Sequence, residues 1–139
     1  MKKLLTSKKM KRENGQSMVE LALTLPLIIL LLGGIIEFGW VYGNSLAVQN
    51  ATREGVRAGI VAVAQSENNV LVTNRINSMV PDAAKNLVIS IVYSNPANFR
   101  AGDITVTVTY TLNGITPFSA LFTSGGVFHL STHCTMKMS

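Results

Sequence analysis

Sixteen consecutive residues, Leu21 to Ile36, carry no Asp, Glu, Lys or Arg, and the run opens directly behind a lone glutamate, Glu20. As a helix this stretch is about 24 Å long, short of the roughly 30 Å hydrocarbon layer of a bilayer. Adding Phe38, Gly39, Trp40, Val41 and Tyr42 brings it to about 33 Å. We therefore expect a single transmembrane segment over about residues 19–42. In that placement Glu37 lies in the outer part of the bilayer, within reach of the headgroups, and Trp40 and Tyr42 are the interfacial aromatics. Pro26 lies early in the helix, where its missing N–H frees a carbonyl and invites a kink. An ordinary signal anchor has the same features.

The charge of the chain is concentrated ahead of this segment. Residues 1–15 hold Lys2, Lys3, Lys8, Lys9, Lys11 and Arg12 against Glu13, a net +5, while the following 124 residues carry six basic and six acidic groups and are neutral. The pI of 9.7 thus describes a leader and not a nucleic-acid surface. Lysines placed just before an apolar helix are the positive-inside signal, which puts the N-terminus in the cytoplasm and the C-terminus outside. Translation from Met1 gives a fifteen-residue leader and from Met10 a six-residue one; both keep basic charge beside the membrane. Cys134 is the single cysteine, so no internal disulfide staples the domain.

The helical pattern continues past the membrane. Residues 43–64 contain no proline, and small residues recur every four positions at Gly39, Gly43, Ala47, Ala51, Gly55 and Gly59. That spacing lets another helix approach closely. A four-residue step drifts by about 40°, so the stripe winds around the helix and suits several neighbours or a domain wrapped over one side. Polar residues 66–69 break the run, and a short amphipathic helix over about 69–80 is stopped by Pro81. The period then changes to two. Leu87, Ile89, Ile91 and Tyr93 share one face, as do Ile104, Val106, Val108, Tyr110 and Leu112, and Phe128, Leu130, Cys134, Met136 and Met138. Three strands of this kind read as an antiparallel sheet with one face on a core and one in water. The connection from Asn113 to Gly126 is long, and its apolar residues Phe118, Leu121 and Phe122 are expected to pack under the sheet or against a neighbour. The fold class is α+β: a long N-terminal transmembrane helix, a short helix and a small three-stranded antiparallel sheet. Its divisions are a leader (1–15), the long helix (16–65) and an extracytoplasmic domain (66–139).

Catalytic chemistry finds little support. His129 and His133, four apart on a strand, stand roughly 13 Å from one another, too far to share a metal ion. Cys134 falls on the apolar face, where a thiol behaves as a small hydrophobe. Glu20 and Glu37 are about 25 Å apart along one helix and form no acid pair. We expect no enzyme, no metal and no cofactor. The residue that most needs an explanation is Glu20, a carboxylate opening an apolar helix, which the helix N-terminal dipole favours by a few tenths of a kcal/mol.

Gly15, Glu20 within VELAL, Pro26 within TLPL, Glu37 within IIEFG and the segment QNATREGVRAG come in an order that resembles the TadE-like pseudopilins of the tight-adherence (Flp-type) pilus system. The resemblance covers residues 15 to about 62. It implies that a membrane prepilin peptidase cuts between Gly15 and Gln16. It also implies a minor pilus subunit or assembly factor of the bacterial cytoplasmic membrane, or one incorporated in a surface pilus. The family's major pilins are much shorter than this chain, which favours the minor role. The implied partners are the peptidase, other pilin and pseudopilin subunits, the inner-membrane assembly platform and the lipid bilayer. Gln16 stands where general secretion pseudopilins carry phenylalanine, and N-methylation of its amine stays open. After such a cut the new α-amino group of Gln16 lies one turn from Glu20. Among packed helices either charge left unpaired costs several kcal/mol, so their pairing would select the assembly register. The rival reading is a membrane-anchored or secreted binding domain unrelated to pili, in which Ser45-Leu46-Ala47 is a signal peptidase site that releases Val48 onward.

Overall fold

The computed structural model describes residues 7–61, 65–98 and 100–138 of the chain. Residues 1–6 of the basic leader and residues 62–64, where the long helix was expected to end, lie outside the described residues. The first helix, α1, is Ser7–Ile60, 54 residues long and uninterrupted at Pro26. Two residues before the proline, the Thr24 hydroxyl donates to the carbonyls of Glu20 and Leu21 at 3.0 and 3.3 Å. A second helix, α2 (Gln65–Met79), turns back along the outer part of α1 and stops just before Pro81.

Three strands follow: β1 (Ala84–Tyr93), β2 (Asp103–Asn113) and β3 (Val127–Lys137). They form an antiparallel sheet in the order β1-β2-β3. The α+β expectation thus holds; β1 begins three residues before its alternating run, β2 gains one residue at each end, and β3 stops just before Met138. As the period of two requires, Ile104, Val106, Val108, Tyr110 and Leu112 of the central strand are fully buried beneath the helices. On the opposite face Thr105 pairs with Thr135 through a 2.9 Å hydroxyl contact. A register shift between Lys85 and Val88 is accommodated by Asn86, which adopts φ 51°. Asparagine tolerates that left-handed conformation, and its amide bonds the Thr111 hydroxyl at 3.1 Å. At the far end of the sheet the buried Tyr93 hydroxyl donates to Asn69 of α2 at 2.6 Å, and burial pushes its pKa up.

Small residues decide how closely the helices meet. Ala51, Gly55 and Gly59 are buried in the face of α1 that receives α2. A Cβ at Gly55 would strike Ile76, and one at Gly59 would strike Asn68 and Val72. Gly39 and Gly43, earlier in the same stripe, have open space where a Cβ would go. The winding stripe therefore divides into an outer half that seats α2 and an inner half that does not. Gly55→Ala is expected to destabilise by about 1–3 kcal/mol through overpacking. Gly39→Ala should stabilise by about 0.5–1 kcal/mol through helix propensity. Thermal unfolding of the two variants in detergent checks the contrast, and equal effects would contradict it.

Candidate functional site

From Gly15 to Leu32, α1 is exposed on every side. Its leucines, isoleucines and valines are exposed, Leu23, Leu27 and Leu31 by more than half. The helix is long and apolar enough to cross a membrane, with a mean hydropathy of 2.4 in its most apolar window. Gly15 and Gln16 lie at the start of this exposed part, and space is open around Gly15. Glu20 is exposed one turn later. Its carboxylate accepts a contact at 3.5 Å, the limit of hydrogen bonding, from the Gln16 side-chain amide. The structure thus places Gly15, Gln16, Glu20 and Pro26 together on the bare half of the helix. It assigns Ala51, Gly55 and Gly59 to the domain instead.

The Glu37 side chain has other partners than expected. It does not reach toward headgroups; it is 2% exposed and enclosed by the connection between β2 and β3. The backbone N–H groups of Ile115 and Thr116 donate to its two oxygens at 3.1 and 2.9 Å, and the Thr116 hydroxyl donates at 2.6 Å. Such charge-assisted bonds to a carboxylate are roughly twice as strong as neutral ones. They latch the connection onto α1.

The sequence allows this through three local features. Asn113 ends β2, and its carbonyl accepts from the Trp40 indole at 3.3 Å. Gly114 follows at a point where a Cβ would strike Ser119 and the Glu37 carboxylate, so only glycine lets the chain pass. Phe118 then lies over Gly33, where a Cβ would meet the phenyl ring. A single turn, α3 (Ser119–Phe122), and two glycines with positive φ, Gly125 and Gly126, return the chain to β3. Between this connection and α1 lies an apolar groove of about 400 Å³, lined by Gly34, Glu37, Phe38, Val41, Phe122 and Phe128.

Glu37 as a latch, with Gly33, Gly114 and Thr116, was missed from sequence. The available signal was a glutamate in an apolar helix together with the donor-rich turn Asn113-Gly114-Ile115-Thr116. His129 and His133 project from the exposed face of β3, with Ser131 between them. Among the described residues no group of three or more His, Cys, Asp and Glu is placed to hold a metal ion. Cys134 is a half-buried free thiol on the inner face of β3.

The model of the family described as TadE-like protein matches residues 15–57. That segment runs from the Gly15-Gln16 junction through the bare helix to the α2-binding face. No curated protein and no solved structure shows significant similarity to the chain. Residues 15–57 are thus TadE-like, and the chain is consistent with a TadE-like protein of the Tad/Flp pilus system.

Proposed function

We propose that the chain is a minor pilin-like (pseudopilin) subunit or assembly factor of the pilus, made as a precursor whose leader a prepilin peptidase removes after Gly15. The observation that carries this reading is the division of one TadE-like helix into two halves. The outer half buries one face in its own domain, whereas residues 15–32 are exposed on every side. In this reading the bare half anchors the chain in the cytoplasmic membrane, leader inside and domain outside, and later packs against the helices of other pilin and pseudopilin subunits on the assembly platform. The protein works as a structural component without catalysis, metal or cofactor.

Release by a cut after Ala47 is physically costly. Val48 is fully buried, and Tyr110 donates to Ser45 at 3.0 Å, so that cut would divide the helix inside the folded domain. It would also detach Glu37 from its latch.

Gly15 tests the processing step. A peptidase cleft that must admit bare backbone should accept Gly15→Ala poorly and reject Gly15→Leu. Both variants should fold, since Gly15 touches nothing. With a prepilin peptidase co-expressed, intact mass of the membrane fraction should show leader lost from wild type and retained in Gly15→Leu. Equal processing of the two would refute the site.

A further inference from the structure

We propose that the β2–β3 connection is a membrane wedge whose side chains Ile115, Leu121 and Phe122 lie among lipid acyl chains of the leaflet on the domain's side of the bilayer. The inference rests on α1 spanning the membrane, and follows from the depth at which the connection is fastened to it. A span of twenty residues, about 30 Å, that begins at Leu21 ends at Trp40. Gly33 and Glu37 then lie about 11 Å and about 5 Å inside its end. Even a span begun at Ser17 ends at Ile36, beyond Gly33. The connection is fastened to α1 at both residues, through Phe118 on Gly33 and the three bonds to Glu37. Gly33, and Phe118 upon it, therefore lie inside the hydrocarbon layer in both seatings, and Glu37 in the first.

The composition and bonding of the connection agree with that depth. No Asp, Glu, Lys or Arg occurs between Asp103 and Lys137. Leu121 and Phe122 are 68% and 60% exposed, and Ile115 is likewise open. Phe122 lines the apolar groove together with Phe38 of α1, and Ile35, Ile36 and Phe38 are themselves exposed. Irregular backbone is tolerated in lipid only when its polar groups are satisfied within the protein. Here Gly114 N–H donates to Gly126, Ser119 to Thr116, Leu121 to Phe118, Thr123 to Ser119 and Gly126 to Thr123. The Glu37 carboxylate takes the N–H groups of Ile115 and Thr116, and Pro117 has none. The same bonds satisfy a carboxylate that would otherwise be isolated at this depth. Acyl chains are the occupant that suits an uncharged surface, largely bonded within itself and fastened to a membrane helix.

Nitroxide labels on single cysteines in a Cys134→Ala background test this. The full chain is placed in vesicles of phosphatidylethanolamine and phosphatidylglycerol, labelled at Leu121→Cys or Phe122→Cys. Leu30→Cys on the bare helix and Ser131→Cys on the exposed sheet face are references. Collision with dissolved oxygen, which concentrates in lipid, is compared with collision with a water-soluble nickel chelate. At 121 and 122 the oxygen-to-nickel ratio should match that at 30 and exceed that at 131 severalfold. A ratio at 121 and 122 equal to that at 131, with 30 still lipid-like, would overturn the wedge and leave the spanning helix intact. A water-like ratio at 30 as well would overturn both. Exclusion of both reagents at 121 and 122 would mean that protein, such as a second copy, covers the surface, and would also overturn the proposal.

Discussion

Glu20→Gln is expected to leave membrane insertion and leader removal nearly unchanged and to abolish, or sharply reduce, recruitment into the pilus assembly. Insertion survives because loss of a charge at the edge of an apolar helix lowers the cost of transfer. Cleavage survives because the amide keeps the size and shape of the side chain near the cut. The fold survives because Glu20 is exposed and the Gln16 amide meets its carboxylate only at the limit of bonding distance. Assembly fails because the free amine of Gln16 then enters a helix-packed, water-poor setting with no counter-charge, at a cost of about 3–5 kcal/mol. Glu20→Asp should be intermediate, its charge kept and its reach one methylene shorter. Co-purification with the other pilus components at equal membrane levels is the measurement. Normal recruitment of Glu20→Gln would remove charge pairing from the mechanism and leave only the helix dipole.

Glu37→Ala is expected to strike the fold instead. Removing the carboxylate strands the N–H groups of Ile115 and Thr116 and the Thr116 hydroxyl, each buried donor left unpaired costing about 1–3 kcal/mol. The total loss should be about 3–5 kcal/mol, after relaxation of the connection. Glu37→Gln should recover part of it, since the amide carbonyl still accepts while its NH₂ faces donors. The readouts are thermal unfolding in detergent and protease cleavage within residues 113–126. A connection as well protected in Glu37→Ala as in wild type would contradict the latch. The two glutamates of one helix thus separate: one acts between chains, the other within the chain.

That separation marks where the sequence was legible. Uncharged length, the change of period from 3.6 to two and Pro81 are local signals, and the helices and three strands followed from them. The small-residue stripe was visible, but its division at Ala51 depends on where α2 returns, which no local pattern encodes. Glu37 resembled a residue reaching for headgroups because its partners lie 78 and 79 positions away in a turn that carries no charge. Hydropathy extends the expected span to Tyr42 but does not reveal that the connection holds Trp40 and Glu37. Gly33 and Gly114 carried meaning only once Phe118 and Ser119 were seen against them.

The central claim, a pilin-like precursor whose bare helix is freed for assembly by a cut at its leader, is tested most directly by the first residue of the mature wild-type protein. The chain is expressed with a prepilin peptidase, purified from membranes, and its N-terminus is read by intact mass and terminal sequencing. The account predicts Gln16. A chain that retains its leader, or one that begins at Val48, would contradict it.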